Sequence, residues 1–291
     1  MEHRTLNYRN KKRIFVILIP VSILITILMY LMVLYYGEYI KDMEIKNKGV
    51  VCAVENLAKE NSQIQKKEEI KASFKEEAAN VKKVYLTFDD GPSTHTEEIL
   101  RILKENDVKA TFFVIGKADD YSKQMYNKIV EEGHTLAMHS YSHDYSSIYS
   151  SVKAFKDDLN KIENLLTDVT GQKPKYYRFP GGSSNTVSKV DIKKLITYLN
   201  EENITYFDWN VVNGDAESSK PVPKNKLVKN VMTGIKNYNS CIVLMHDAEP
   251  KETTVEALPE IIRRIKKQGA QILPIDENTK VVQHIKADSV D

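Results

Sequence analysis

Residues 14–36 contain no charged side chain and are overwhelmingly apolar. A helix rises about 1.5 Å per residue, so roughly 20 such residues cross a hydrocarbon core about 30 Å thick. The run therefore predicts a membrane-spanning helix over 14–36. A cleaved signal peptide is the competing reading, but its apolar region is shorter, about 7–15 residues, and leads into a small-residue cleavage site. This run instead ends Tyr35-Tyr36-Gly37-Glu38-Tyr39. Arg4, Arg9, Lys11, Lys12 and Arg13 precede it, whereas basic and acidic residues are mixed behind it. The positive-inside rule then predicts residues 1–13 in the cytoplasm and the remainder exported.

Residues 37–82 are rich in Lys, Glu and Asn with sparse apolar positions, which predicts a solvated, partly helical stalk. At Val84 the texture changes. Short runs rich in Val, Ile, Tyr and Phe predict strands at 84–88, 110–115, 134–138, 176–179, 204–209, 241–245 and 271–273. Amphipathic stretches between them predict helices at 97–106, 122–132, 152–170, 187–203, 224–238 and 255–268, several closed by a glycine such as Gly133, Gly171 or Gly269. Pro259 should distort the start of the last helix. This alternation over 83–291 predicts one α/β domain with a parallel sheet: a closed β/α barrel, or alternatively a doubly wound open sheet.

Composition narrows the function by exclusion. Lys plus Arg number 42 and Asp plus Glu 40, a formal net charge of +2, so no basic surplus points to nucleic acid. The two cysteines, Cys52 and Cys241, lie far apart and define neither a disulfide framework nor a thiolate cluster, which leaves nitrogen and oxygen as ligands for any metal.

Five predicted strands run straight into polar clusters: Asp89-Asp90-Gly91, His139-Ser140-Tyr141-Ser142-His143, Arg178-Phe179-Pro180-Gly181-Gly182, Trp209 toward Gly214-Asp215, and His246-Asp247. In a parallel barrel all these ends open on one face, where the chemistry of barrel enzymes sits. His139 and His143, four residues apart, place both rings on one side if the chain turns helically, and one Asp of the first cluster would complete a two-His, one-carboxylate metal site. Adjacent carboxylates repel unless a cation or an Arg offsets them, and Arg178 could do so through a bidentate guanidinium. His246 is the natural proton donor at this face. Each feature also has a plainer reading: Asp-Asp-Gly-Pro makes good turns, and histidines commonly cap helices or sit satisfied in cores.

In order, Asp89-Asp90-Gly91-Pro92, His139-Ser140-Tyr141-Ser142-His143, Arg178-Phe179-Pro180-Gly181-Gly182, Trp209 with Asp215, and Leu244-Met245-His246 resemble the five motifs of the family 4 carbohydrate-esterase polysaccharide deacetylases. The resemblance implies a distorted β/α barrel, in line with about seven parallel strands. It implies that Asp90, His139 and His143 bind one divalent metal, commonly zinc, with cobalt, nickel, manganese and iron compatible with the same ligands. Asp89 would be the general base that deprotonates a metal-bound water, and His246 the general acid that protonates the departing amine. Arg178 would orient Asp89, Asp215 would steady Arg178, and a backbone N–H at Gly181, after Pro180, would stabilise the oxyanion. Trp209 and Leu244 would line the pocket for the acetyl methyl.

Two positions depart from the family pattern. Gly181 stands where a larger residue is usual, and Asp215 is followed by Ala216 rather than Trp. The implied substrate is a cell-wall glycan, with the N-acetylglucosamine units of peptidoglycan favoured because anchor and stalk hold the domain near the membrane. De-O-acetylation of a xylan-like polymer is an alternative. So is a membrane-tethered glycan-binding protein without turnover, whose signature would be an altered base, acid or ligand; none is altered here.

Overall fold

The computed structural model describes residues 2–218 and 220–290, with side chains described from residue 21 to 71 and from 81 onward. The chain divides into two compact units, Met1–Glu77 and Ala78–Asp291. The first is one helix, α1 (Glu2–Asn80). Its apolar part is long enough to cross a membrane, and an 18-residue window of mean hydropathy 1.8 in its described portion has none of its residues buried. Side chains of 14–20, the first part of the predicted span, lie outside the described residues. Where the sequence predicts a partly helical stalk, α1 runs unbroken through 37–80: Gly37 and Gly49 interrupt nothing, no proline occurs in that stretch, and the i,i+4 pair Lys46–Asp42 at 3.0 Å supports the turns.

The second unit alternates strands and helices: β1 (Lys83–Asp89), α2 (Thr96–Glu105), β2 (Thr111–Ile115), α3 (Asp120–Glu131), β3 (Thr135–Ser140), α4 (Tyr145–Ile148), α5 (Val152–Thr170), β4 (Tyr176–Tyr177), α6 (Ile192–Glu201), β5 (Thr205–Tyr206), β6 (Val211–Val212), α7 (Lys224–Gly234), β7 (Ser240–His246), α8 (Glu252–Lys267) and β8 (Gln271–Ile272). Local chemistry sets the boundaries. Asp119 accepts from the Ser122 N–H and Ser151 from the Ala154 N–H at the starts of α3 and α5, and Gly171 ends α5 at φ +70°. α8 starts three residues before the predicted helix and runs through Pro259, which therefore falls in its interior.

All pairings are parallel, in the order β5-β4-β3-β2-β1-β7-β6, with β8 beside the start of β1. β6 was not expected from the sequence; the chain leaves β5 at one end of this path and rejoins it at the other. Only residues 207–210 span that interval, and each residue reaches about 3.6 Å at most. The sheet must therefore curl until its ends nearly meet, which makes it a distorted barrel.

Strand alternation then sorts the side chains. Val84, Leu86, Phe88, Phe112, Val114 and Met138 pack outward into the helical layer, while Tyr85, Phe113, Ala137, Phe207 and Ile242 form a smaller cluster inside the barrel. By the same parity Asp89, His139, Arg178, Leu244 and His246 follow the inward set at the C-terminal rim.

The seam between β5 and β6 is covered by the C-terminal segment. Asp208 N–H donates to the Val282 carbonyl at 2.8 Å, and the fully buried Asp208 carboxylate accepts from Ser183 N–H (2.8 Å), Ser183 Oγ (2.5 Å) and His284 N–H (2.7 Å). Buried donors left without acceptors cost about 1–3 kcal/mol each. Asp208→Ala is therefore expected to lower stability by roughly 2–5 kcal/mol, read as a lower melting temperature of the second unit. An unchanged melting temperature would show that this carboxylate does not hold the segment.

Candidate active site

β1 and β7 pair in register, with Asp89 opposite His246 and Thr87 opposite Leu244. The strands reach further than the sequence predicts, so Asp89, His139 and His246 belong to the strands themselves rather than to the loops that follow. Strict alternation would turn Asp90 away from Asp89. The backbone instead enters the left-handed region at Asp90 (φ +75°), which swings its carboxylate back toward the same cavity. Gly91 follows because a Cβ there would collide with the buried Asp247 carboxylate, itself held by Ser93 and Thr96 hydroxyls.

His139 and His143 are brought together by a turn, not by the helical continuation that their spacing suggests; His143 has φ +51° and α4 begins only at Tyr145. Asp158, on α5, organises that turn. Its Oδ1 accepts from Ser140 Oγ (2.7 Å) and Tyr141 N–H (2.8 Å), and its Oδ2 from Ser142 N–H (2.9 Å) and Ser142 Oγ (2.7 Å). Ser140 Oγ in turn accepts from His143 N–H at 2.9 Å.

Asp90 Oδ1 lies 3.5 Å from His139 Nε2 and 3.2 Å from His143 Nε2, and the three ligand atoms lie within 4.8 Å of one another. Donors about 2.0–2.2 Å from a tetrahedral ion stand roughly 3.3–3.6 Å apart, so these separations fit a shared cation. Two further observations fit it. Asp90 Oδ1 is buried and has no hydrogen-bond partner among the described residues. His139 Nδ1 lies 2.7 Å from the Arg178 carbonyl, which can only accept, so Nδ1 carries the proton and Nε2 presents its lone pair. Burial pushes the His139 pKa down to about 3, against the opposing pull of Asp90, and keeps the ring neutral.

Arg178 is fully buried. Its Nη1 donates to Asp89 Oδ1 (2.8 Å) and Thr87 Oγ1 (2.7 Å), Nε to the Phe207 carbonyl (2.9 Å) and Nη2 to the Asp208 carbonyl (3.1 Å), while its guanidinium carbon stands 4.0 Å over the Phe113 ring. The contact with Asp89 is thus through one nitrogen rather than bidentate, because the other donors serve the segment that bridges β5 and β6. Asp89 Oδ2 remains 4.0 Å from His139 Nε2. Burial raises the Asp89 pKa above the ordinary carboxylate value, with Arg178 and His246 pulling it back.

The resemblance implies that Asp215 steadies Arg178; in the structure its carboxylate instead bonds His246. Its Oδ1 is 2.7 Å from His246 Nδ1, and its Oδ2 accepts from His246 N–H and Thr254 Oγ1, each at 2.9 Å. Asp215 lies three residues past β6, whose strand partner is β7, whereas Arg178 follows β4 toward the other end of the strand path. Burial works against a charge on His246, yet the Asp215 hydrogen bond and charge, with Asp89 and Asp90, raise its pKa above the usual value.

Around these groups, Pro180 is buried with its carbonyl bound by the Tyr149 hydroxyl at 2.8 Å, and Gly181 and Gly182 turn with φ +76° and +81°. Gly181 N–H donates to no backbone carbonyl among the described residues. Trp209 lies against Gly182, where a Cβ would stand 3.0 Å from Cη2, and Leu244, partly exposed, shares its strand face with His246.

A match to the polysaccharide deacetylase family model covers residues 76–199. A peptidoglycan-N-acetylglucosamine deacetylase of Bacillus cereus is 31% identical over 65% of this chain and 67% of its own length. Among solved structures, the catalytic domain of the peptidoglycan N-acetylglucosamine deacetylase from Eubacterium rectale matches with a TM-score of 0.67 and 40% identity, over 70% of this chain and 93% of that one. A Streptococcus mutans CE4 esterase matches with a TM-score of 0.62 and 33% identity, over 68% and 87% of the two chains. Fold and site thus define a deacetylase of the carbohydrate-esterase type. The chain belongs to the CE4 polysaccharide deacetylase family.

A carboxylate beside an imidazole stabilises the imidazolium, so its removal lowers the ring's pKa. Asp215→Asn is expected to move the His246 titration to lower pH, followed by NMR of the ring; an unmoved midpoint would exclude Asp215 as the cause.

Proposed function

We propose that this chain is a membrane-anchored, exported hydrolase that removes N-acetyl groups from N-acetylglucosamine residues of peptidoglycan. The observation that carries this reading is one cluster of ligand atoms, Asp90, His139 and His143, beside two separately held proton-transfer groups, Asp89 on Arg178 and His246 on Asp215. The relatives named for peptidoglycan support the substrate. The apolar part of α1 supports an anchor at 14–36, with 1–13 cytoplasmic, a stalk over 37–82 and the catalytic domain over 83–291 outside.

Asp90, His139 and His143 would hold one divalent cation, with zinc the common choice for such a site and cobalt, nickel, manganese and iron suited to the same donors. When bound, it supplies Lewis acidity toward the acetamide carbonyl and the attacking water. Asp89 takes the proton of that water: Arg178 occupies Oδ1 and leaves Oδ2 for the transfer. As the acyl carbon becomes tetrahedral, the Gly181 N–H donates to the oxyanion, presented by the turn that Pro180 begins. His246 then gives a proton to the nitrogen as the C–N bond breaks, and Asp215 raises the ring's proton affinity above that of an ordinary imidazole. Acetate and a free amine result. Trp209 and Leu244 accommodate the acetyl methyl.

The assay is acetate release from N-acetylated wall fragments by the full chain, with zinc and with chelator. Asp89→Asn is expected to lose turnover, about 10²-fold or more, and to retain zinc, whereas His143→Ala loses zinc affinity. Equal zinc loss in both variants would refute this division of roles. No metal-dependent acetate from any wall fragment would refute the deacetylase reading, and faster release from an O-acetylated xylan would favour ester substrates.

A further inference from the structure

Gly181 stands where the third motif usually carries a larger residue, and the space beside its Cα is occupied by a side chain from another element. Tyr145, the first residue of α4, stands so that a Cβ on Gly181 would lie 3.2 Å from its Cε1 and 3.3 Å from its hydroxyl oxygen. N and Cβ share one Cα through bonds near 1.5 Å, so the phenol oxygen is within about 6 Å of the Gly181 nitrogen. The same ring meets His143 edge-on, centroids 5.4 Å apart at 89°, and Tyr149 at 6.0 Å.

The two neighbouring tyrosines differ in one respect. Tyr149 spends its hydroxyl on the Pro180 carbonyl, whereas the hydroxyl of the half-buried Tyr145 has no hydrogen-bond partner among the described residues. A phenol is an O–H donor, and one that no protein acceptor engages is free to donate to an acceptor that arrives with the ligand. Resting on the deacetylase reading above, we propose that Tyr145 is a further catalytic residue, whose O–H donates to the acyl oxygen alongside the Gly181 N–H and supplies a second oxyanion donor. The left-handed glycine makes room for it: a side chain on Gly181 would press on the ring and on Asn185 Cβ, 3.3 Å away.

The test is Tyr145→Phe in the full chain, which removes the oxygen and keeps the ring packed on His143. One oxyanion donor contributes about 10²–10³ in kcat where it has been removed elsewhere, and with a second donor retained the expected loss here is about 10–100-fold in kcat with KM within about twofold. The factor should be the same for N,N′-diacetylchitobiose and for long wall fragments, because the contact is to the acetyl group. Zinc affinity by calorimetry should match the parent chain. A raised KM with kcat intact would assign the hydroxyl to gripping sugar and overturn the proposal. Zinc affinity falling together with kcat would reduce Tyr145 to a prop for His143, and unchanged kinetics would remove it from the reaction. The parent chain, assayed beside it, separates this from failure of the deacetylase reading, which would appear as no metal-dependent acetate from the parent itself.

Discussion

The buried guanidinium of Arg178 is the contact on which barrel and site both depend. It leaves β4 with no solvent exposure, and its donors reach β1 through Thr87 and Asp89 and the bridging segment through the carbonyls of Phe207 and Asp208. Those carbonyls lie where the sheet stops, so no strand partner satisfies them, and a buried carbonyl must find a donor somewhere. Arg178 therefore closes the seam of an incomplete barrel and fixes Asp89 by the same side chain. A buried charge is costly unless it is paired and fully hydrogen-bonded, and removing one partner of such a pair typically costs about 3–5 kcal/mol. The geometry here meets that condition: one carboxylate, one hydroxyl, two carbonyls and the face of Phe113 surround the cation.

Rigid and strained elements share the remaining work. Asp89, His139 and His246 sit on strands, whose inward parity puts them on one face at no conformational cost. Asp90 and His143 sit where parity would fail, and both adopt positive φ. Such conformations persist only where the surroundings over-determine them. For His143 those surroundings are Asp158 and Ser140, and for Asp90 they are the packed Gly91–Asp247 contact behind the loop.

What the sequence made legible follows from this division. Alternating strands that end in Asp89-Asp90, His139 or His246 can be read directly, because short apolar runs followed by polar residues survive any detail of packing. The two-residue β6 and the single-turn α4 are too short to carry a period, and Asn210-Val211-Val212-Asn213 reads as loop. The continuous helix through the stalk was only partly foreseen, since its support is local pairing and the absence of proline rather than an apolar stripe. The partner of Asp215 depends on which end of the strand path β6 joins, which is a tertiary fact. Asp158 and Asp208 did leave a trace: each is a carboxylate in an apolar setting, one on the buried face of α5 with Phe155, Leu159 and Ile162, the other between Phe207 and Trp209. A charge at a core position signals a buried hydrogen-bond hub, although it does not say for which groups.

The two inward histidines show how one fold shifts the proton affinity of identical side chains in opposite directions. At His139 burial dominates, the Nδ1 partner is a neutral carbonyl, and the ring stays deprotonated with a free lone pair. At His246 burial is also the largest single influence, but the Nδ1 partner is a carboxylate held independently by Thr254, and the pKa is raised instead of lowered. The difference is not made by exposure, since both rings are mostly buried. It is made by the acceptor that topology places behind each ring: the carbonyl of Arg178, just past β4, for the one, and Asp215 from the β6–β7 connection for the other. On the proposed reading a ligand nitrogen is neutral and a proton donor carries its proton, and the backbone path that delivers those two acceptors sets the two rings apart in that direction.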